Sequence, residues 1–249
     1  MRLKDKAAIV TGAAGGLGLG IAARFAAEGA AVALIDFDRQ RGESVESDLR
    51  QQGHRVRFIQ ADLSEPHDIV RATGLAAEWA GRLDIVVNNA ATFLPKKIED
   101  IGVGEWDYLM AINLRAAFLL VQAALPMLRE SRGCVLNISS TAAIRVFSPN
   151  LPYSVAKAGL ITMTQSLAQE LHADRIRVNC ICPGAVDTPA LHRDIAARGV
   201  DAGAVQRLRD EGYLTTPEQI ASVALHLVSD EAVAITGSVV VADGGAMLA

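Results

Sequence analysis

Short apolar runs alternate with amphipathic or small-residue segments along the whole chain. The apolar runs predict seven strands: Ala7–Val10, Ala31–Ile35, Val56–Gln60, Ile85–Val87, Cys134–Ile138, Ile176–Ile181 and Ser238–Val241. The segments between them predict helices over Gly16–Glu28, Arg39–Gln52, a span capped by Ser64, Gly104–Arg129, Tyr153–His172 and Thr216–Ser229. A repeated strand-then-helix order is typical of parallel strands joined by right-handed crossovers. The pattern predicts an α/β fold in a single domain over residues 1–249: a doubly wound (Rossmann) parallel sheet of about seven strands, with helices on both faces.

Composition narrows the class of protein. Hydrophobic residues make up 51% of the 249 residues, which suits a sheet buried on both faces. The net charge of −4, without a basic block, argues against a nucleic-acid partner. Met1–Lys6 is charged and leads directly into a strand, and no apolar run reaches membrane-spanning length without a charge, glycine or turn signal. We expect a soluble, cytoplasmic protein with no membrane partner.

The cysteines Cys134, Cys180 and Cys182 all fall in strand-like runs. Cys180 and Cys182 would point to the same face of a strand, but no second pair of ligands lies nearby to complete a metal site. We expect buried free thiols, no metal site and a reducing compartment.

A glycine-rich segment links the first predicted strand to the first predicted helix. Gly12, Gly16 and Gly18 would allow a tight turn, close approach of the backbone to a pyrophosphate and close helix–strand packing. Asp36 ends the second strand, where an acid accepts hydrogen bonds from an adenosine ribose and repels a 2′-phosphate. The glycine loop carries no basic residue, so NAD(H) is favoured over NADP(H), although Arg39 could bind a phosphate.

Polar residues also close the third and fourth predicted strands. Asp62 and Leu63 follow the third, and Asn89 and Ala90 follow the fourth. Ligands of such sheets bind at the carboxyl ends of the strands, so these residues should border the cofactor. Asp and Asn equally favour turns, and that structural role stays open at each position.

Tyr153 and Lys157 stand four residues apart at the head of an apolar-periodic run. On a helix they share a face. A nearby positive charge favours the phenolate and lowers a tyrosine pKa that starts at about 10. Such a phenol exchanges a proton with an alcohol or carbonyl oxygen. Ser140 ends an apolar strand thirteen residues upstream, which strengthens the interpretation.

Together these motifs resemble those of the short-chain dehydrogenase/reductase family, in its single-domain NAD(P)-dependent branch. The resemblance covers essentially the whole chain and rests on an ordered set of residues. These are Thr11, Gly12, Gly16, Gly18, Asp62, Asn88, Asn89, Ala90, Asn113, Ser140, Tyr153, Lys157, Pro183, Gly184, Thr188, Asp243, Gly244 and Gly245. Two departures are Ala91, where the family commonly has Gly, and segment 141–149, which lacks the glycines often found there.

The resemblance implies an oxidoreductase that interconverts a secondary alcohol and a ketone by hydride transfer with NAD(H). Tyr153 would be the general acid/base, and Ser140 would hold the substrate oxygen. Lys157 would bind the nicotinamide ribose and lower the pKa of Tyr153, and Asn113 would hold a water that passes protons through Lys157 to solvent. The implied cofactor-binding set is Gly12, Gly16, Leu17, Gly18, Asp36, Asp62, Leu63, Asn89, Ala90, Tyr153, Lys157, Pro183, Gly184, Val186 and Thr188.

Substrate contacts are expected from Ser140, Tyr153, Arg145 and Asn150. The side chain of Arg145 could point inward or reach solvent. Residues 190–213 form a charged, irregular segment, which we expect to be a substrate lid with a solvated charged face. Further pocket candidates are Thr92, Phe147, His192 and Tyr213. This mixture leaves polyols, sugars, hydroxy acids and cyclic alcohols open, with a slight preference for the polar class.

Two other functions and one assembly state are considered. A cofactor-binding sensor of the same fold would not need the proton-transfer set. An epimerase or dehydratase could use the same Tyr–Lys pair, but would usually need a larger C-terminal domain than residues 184–249. The helices predicted over Gly104–Arg129 and Tyr153–His172 are more apolar than one sheet face can cover, and with the resemblance they predict a homotetramer.

Overall fold

In the computed structural model, which describes residues 1–201 and 203–249, seven parallel strands form the central sheet. Two short strands, β7 and β8, pair separately. The strands are β1 (Ala7–Thr11), β2 (Ala31–Asp36), β3 (Val56–Gln60), β4 (Ile85–Asn88), β5 (Cys134–Ile138), β6 (Arg177–Pro183), β7 (Ala185–Val186), β8 (Leu214–Thr215) and β9 (Val239–Ala242). The spatial order β3-β2-β1-β4-β5-β6-β9 confirms the predicted doubly wound sheet.

Helices connect most of these strands. In chain order they are α1 (Gly16–Ala27), α2 (Arg39–Gln51), α3 (Pro66–Ala80), α4 (Val103–Met110), α5 (Ala116–Ser131), α6 (Leu151–Glu170), α7 (Pro189–Ala197), α8 (Ala204–Asp210) and α9 (Pro217–Val228). A π-helical turn over Ala111–Arg115 joins α4 and α5 into one helical rod. The predicted helices are therefore confirmed, with bounds that shift by a few residues.

Alternating side chains of each strand enter two separate cores. In β1, Ala8 and Val10 pack with α1, α2 and α9, whereas Ile9 packs with α3, α5 and α6 on the other face. Ile9 lies opposite Ala33 of β2 and Val86 of β4, and both of these also face the second core. Because both faces are covered, the strands are apolar almost throughout.

Local signals set the helix starts. Thr216 caps α9 in a capping box with Gln219, as the sequence predicts. The prediction that Ser64 caps α3 is wrong: Glu65 is the N-cap residue, and Pro66 occupies the first turn. The hydroxyl of Ser64 instead donates to Asp62 Oδ1 at 2.7 Å, because Asp62 forms a turn ahead of the helix.

The rod Val103–Ser131 is long and apolar enough to cross a membrane by length and composition, with a mean hydropathy of 1.6 over its most apolar window. Within that window, 44% of the residues are buried inside the protein. Leu120, Ala124 and Leu128 of this rod pack against the sheet in the second core. The packing accounts for the apolar residues on that side of the rod.

The segment after β7 differs from its prediction as an irregular lid. It contains α7 and α8, while Ala202 lies outside the described residues. Thr188 begins α7 by accepting a hydrogen bond from the backbone of Leu191, and Pro189 occupies the first turn. These two start signals explain why a charged segment of weak periodicity becomes helical.

Candidate active site

The candidate site lies where the carboxyl ends of the parallel strands meet. From β1 the successive strands are added toward β3, whereas from β4 they are added toward β9. A crevice therefore opens between the carboxyl ends of β1 and β4. The glycine loop follows β1, Asn89 follows β4 and Ser140 follows β5. Parallel pairing therefore brings together residues that lie far apart in the chain.

The glycine loop is closely packed against its own helix. A Cβ atom at Gly18 would lie 2.1 Å from the backbone oxygen of Gly12, a distance that no side chain tolerates. Gly12 and Gly16 both have positive φ, at 66° and 54°. Helix α1 begins after Gly15 with no side-chain cap, so its first backbone N–H groups are available to an anion.

Asp36 joins the end of β2 to this loop. Its Oδ2 accepts a hydrogen bond from the Ala14 backbone at 3.0 Å, and its Oδ1 accepts one from the Asp38 backbone at 3.1 Å. The carboxylate thus lies beside the loop at the edge where an adenosine ribose would bind. Arg39, which the sequence offered as a candidate for binding a phosphate, pairs with Glu43 at 2.7 Å.

Thr11 and Asn89 connect the end of β4 to the loop. The Thr11 hydroxyl accepts hydrogen bonds from the backbones of Asn89 and Ala90 at 2.9 and 3.0 Å. The Asn89 side chain donates to the Thr11 backbone oxygen at 2.8 Å. The Asn89 side-chain amide therefore holds the start of the glycine loop next to the end of β4. These hydrogen bonds give the Asn89-Ala90 motif a structural role.

The other predicted cofactor residues surround the same crevice. Asp62 is exposed and accepts two hydrogen bonds from Ser64, which is the turn role that the sequence left open.

A Cβ atom at Gly184 would lie 2.7 Å from the Cβ of Asp243, so Pro183-Gly184 packs directly on the end of β9. Thr188 lies against the glycine loop, since a Cβ atom at Gly16 would be 3.5 Å from its methyl group. Hydrophobic packing against the two cores holds Leu17, Leu63, Ala90 and Val186.

Lys157 is fully buried beneath this crevice. Its Nζ donates to the backbone oxygen of Ile138 at 2.7 Å and lies 5.6 Å from the centroid of the Tyr153 ring. Burial lowers the pKa of Lys157 from 10.5 to about 8. Ser139, on the face opposite Ser140, donates to the Lys157 backbone oxygen at 2.7 Å and so holds α6 against β5.

Tyr153 is buried next to one aromatic neighbour, Phe93, and one polar neighbour, Ser140. Its ring stacks on Phe93, which the sequence analysis missed because only the fold brings the two rings together. Burial raises the pKa of Tyr153 above its ordinary value of 10, and the nearby hydroxyl of Ser140 acts in the opposite direction. The pKa of Tyr153 is therefore raised overall and not lowered as expected, because desolvation outweighs the charges and the hydrogen bond around the phenol.

Ser140 begins the segment between β5 and α6. Its hydroxyl accepts a hydrogen bond from the Ala142 backbone at 3.1 Å and caps a short 3₁₀ turn over Thr141–Ala143. The Ser140 oxygen keeps a hydrogen to donate, as a group that holds a substrate oxygen must.

Asn113 lies in the π-helical turn and is buried. Its Oδ1 accepts from the Thr92 backbone at 2.8 Å, and its Nδ2 donates to the Thr92 backbone oxygen at 2.9 Å. The side-chain amide therefore positions the loop after β4, a role that the sequence interpretation did not include. Asn is disfavoured inside a helix, and here these two hydrogen bonds account for it.

A buried polar chain runs behind the site. Asn88 donates to the side chain of Asn137 at 2.8 Å, and Asn137 donates to the Thr164 hydroxyl at 2.9 Å. This chain links β4 and β5 to α6, the helix that carries Tyr153 and Lys157. Asn137 was missed, although an Asn inside the apolar strand Cys134–Ile138 was the signal that could have found it.

Two predicted substrate residues occupy very different positions. Arg145 is exposed, with Nη1 3.5 Å from the backbone oxygen of Ala249, so of its two possible orientations the structure shows the solvent-facing one. Asn150 is buried directly before α6, and within the described residues its amide has no hydrogen-bond partner. Among the further pocket candidates, His192 is exposed and its ring lies 2.9 Å from Asp187.

Comparison with known proteins gives a consistent result. The family model described as "Enoyl-(Acyl carrier protein) reductase" matches residues 12–247. D-threitol dehydrogenase of Mycolicibacterium smegmatis is 34% identical over 245 residues, which are 98% of this chain and 94% of the relative. Cyclopentanol dehydrogenase of Comamonas testosteroni is 33% identical over 245 residues, 98% of each chain.

Solved structures agree over the whole length. Levodione reductase superposes with a TM-score of 0.93 at 30% identity, covering 100% of both chains. A short-chain dehydrogenase from Burkholderia cenocepacia in complex with NADP gives 0.90 at 33% identity, over 99% of this chain and 100% of that one. A 3-ketoacyl-(acyl-carrier-protein) reductase from Brucella melitensis complexed with NADH gives 0.87 at 31% identity, over 98% of each.

Proposed function

The chain belongs to the short-chain dehydrogenase/reductase family and is an oxidoreductase that interconverts a secondary alcohol and a ketone; on that premise we propose that NAD(H) is its cofactor and Tyr153 its general acid/base. One observation carries the proposal. Lys157 and Tyr153 are buried together beside Ser140, at the sheet edge that the glycine loop also borders.

The crevice fits a dinucleotide. The close packing of Gly18 on Gly12 and the uncapped start of α1 leave backbone N–H groups to hold a pyrophosphate. Asp36 would accept hydrogen bonds from the adenosine ribose, and Lys157 would hold the nicotinamide ribose. A nicotinamide cofactor bound here would supply the hydride donor or acceptor.

The choice of NAD(H) over NADP(H) rests on charge. A 2′-phosphate would meet the carboxylate of Asp36 and no cation of the loop at Ala13, Ala14 and Gly15. Arg39 and Arg41 pair with Glu43 and Asp38 in the first turns of α2. Relatives with solved structures bind either NADH or NADP, so this electrostatic argument is what separates the two.

Each polar residue of the site has a step to perform. Burial keeps the Tyr153 hydroxyl protonated, which is the form that donates a proton to a ketone oxygen. Ser140 would donate a second hydrogen bond to the same oxygen and hold it in place. In the oxidation direction Tyr153 must accept the proton, and the buried ammonium of Lys157 would stabilise the resulting phenolate.

Replacing the proton donor tests this proposal. Tyr153→Phe should lower kcat by about 10²- to 10⁴-fold, because only the hydroxyl is removed. NADH binding, measured by fluorescence titration, should stay close to that of the wild type. Tyr108→Phe is the matched control: Tyr108 is exposed on α4, so this variant should keep the wild-type kcat. A Tyr153→Phe enzyme within a few-fold of wild-type activity would reject Tyr153 as the acid/base.

We further propose that the protein is a homotetramer. Phe118 of α5 and Leu151 and Val155 of α6 are exposed, large and apolar, on two of the longest helices. Such residues are suited to a two-fold helix pairing between subunits. Light scattering at micromolar concentration should give four times the 26.3 kDa chain mass. A monomer would contradict the proposal, and Phe118→Glu should dissociate the assembly if this surface forms the contact.

A further inference from the structure

The lid carries an ion pair that is not solvated. Asp194 lies in α7, and Arg198 directly follows the end of that helix, four residues later. Arg198 Nε is 2.9 Å from Asp194 Oδ2. Their side chains are only 11% and 8% exposed. The expected solvated charged face of the lid exists elsewhere, at Arg207 and Arg209, whose side chains are more than half exposed. The buried pair therefore has a different environment from the rest of the lid charges.

The pair is incompletely satisfied by the protein. Asp194 Oδ1 and Arg198 Nε and Nη2 are buried and have no hydrogen-bond partner among the described residues, so the contact between Nε and Asp194 Oδ2 is an ion pair without hydrogen-bond alignment. Buried charges are costly unless their remaining hydrogen-bonding positions are filled. Among the described residues, one acceptor atom and two donor atoms of the pair remain unpartnered, on adjacent groups of opposite charge.

Arg198 packs against the segment that joins Ser140 to Tyr153. The Arg198 guanidinium lies 4.7 Å from the centroid of the Phe147 ring, in the segment that joins Ser140 to Tyr153. The two charges shift the pKa of Tyr153 in opposite directions: Asp194 raises it and Arg198 lowers it. A molecule bound between α7 and the segment that joins Ser140 to Tyr153 would therefore lie beside the pair.

The chemistry of the pair selects the ligand. A hydroxyl group can donate to Asp194 Oδ1, and a hydroxyl oxygen can accept from Arg198 Nη2. A carboxylate would be attracted by Arg198 but repelled by Asp194, because the pair is neutral overall. A hydrocarbon would leave both groups unsatisfied, and sites of this kind strongly reject analogues that lack the hydrogen-bonding group.

We propose that Asp194 and Arg198 recognise a neutral polyhydroxy substrate by binding a hydroxyl group next to the carbinol that reacts. This assignment rests on the proposed function, and it names the substrate class of that site. Both residues are specificity-determining residues, because they would hold the substrate away from the atoms that exchange hydride and proton.

Two alcohols of similar size separate the alternatives. D-Threitol carries vicinal hydroxyls, whereas cyclopentanol carries one hydroxyl on a hydrocarbon ring. With NAD⁺, the wild type should have the higher kcat/KM for D-threitol. Asp194→Asn and Arg198→Met should each lower that value by about 10- to 100-fold, since charge-assisted hydrogen bonds are lost. The kcat/KM for cyclopentanol should stay nearly unchanged, and Arg193→Met, at an exposed lid position, should change neither value.

A variant with the two charges exchanged tests whether the single substitutions act only by disrupting the structure of the lid. Asp194→Arg combined with Arg198→Asp keeps the ion pair and exchanges donor and acceptor. This variant should retain cyclopentanol oxidation, which would show that the lid keeps its structure. Equal losses for both alcohols in the single variants would mean that the pair has only a structural role and would overturn the proposal.

The same assay distinguishes this proposal from the proposed function. Wild-type enzyme that oxidises cyclopentanol as well as or better than D-threitol overturns polyol recognition and leaves the general reaction standing. Oxidation of neither alcohol with NAD⁺ counts against the proposed function, and polyol recognition falls with it.

Discussion

The ring of Phe93 stacks on the ring of Tyr153, with centroids 4.5 Å apart and planes inclined by 21°. Phe93 belongs to the loop after β4. The side-chain amide of Asn113 holds this loop by two hydrogen bonds to the backbone of Thr92. Tyr153 belongs to the first turn of α6. The stack therefore couples the loop beside the nicotinamide position to the orientation of the phenol.

Phe93 should act as a positioning residue. An aromatic pair contributes about 0.5–1.5 kcal/mol, so Phe93→Leu should lower kcat/KM by roughly two- to tenfold. NADH affinity should not change, because Phe93 would orient only the acid/base. Phe93→Tyr keeps the stack and should restore activity. Steady-state kinetics that show no difference between Phe93→Leu and wild type would contradict this role.

Gly18 and Gly15 form a matched pair in the glycine loop. A Cβ atom at Gly18 would overlap the Gly12 oxygen, whereas a Cβ atom at Gly15 would meet nothing within 4 Å. Gly18→Ala should therefore destabilise the fold by about 1–3 kcal/mol and weaken NADH binding. Gly15→Ala should leave both nearly unchanged. Thermal melts and NADH titrations test the pair, and similar behaviour of the two variants would refute the proposed packing.

Asp36 should enforce the preference for NAD(H). Removing its carboxylate in Asp36→Ala should lower the ratio of kcat/KM for NAD⁺ to that for NADP⁺ by about tenfold or more, because ribose hydrogen bonds and phosphate repulsion both disappear. Asp48→Ala is the control: it removes an exposed carboxylate near the end of α2 and should not alter the ratio. A wild-type preference for NADP⁺ would reverse the cofactor assignment.

The burial of Lys157 should appear in the pH dependence of stability. Its pKa is about 8 in the folded protein and about 10.5 when unfolded, so between these values the unfolded chain binds more protons. The free energy of unfolding should therefore rise with pH across this window, by up to about 1.4 kcal/mol per pH unit from this group. Below pH 8 the buried charge is a constant penalty.

Lys157→Met isolates this effect. Urea denaturation at pH 7, 8, 9 and 10 should show the wild type gaining stability relative to Lys157→Met as the pH rises. Other groups that titrate in this range are shared by both proteins, so the difference reports on Lys157. Parallel pH profiles would mean that Lys157 keeps an ordinary pKa in the folded protein.

The sequence by itself determined the order of strands and helices and the parallel, doubly wound sheet. The reason is that this information is local. A period of two divides Ala8 from Ile9 between the two cores, a capping box starts α9, and a four-residue spacing places Tyr153 and Lys157 on one helical face. Strand ends that share an edge also follow from parallel order alone, which is why the glycine loop and Ser140 could be placed together.

Tertiary structure decided what surrounds each of those residues. Phe93 on Tyr153, the Asn113 amide on Thr92 and Arg198 on Phe147 are contacts between distant segments. The pKa of Tyr153 moved against expectation for the same reason: desolvation depends on everything packed around a group, whereas sequence spacing reports only its neighbours along one element. A charge pattern along the lid likewise shows which residues are ionised, but only the folded chain determines which of them water can reach.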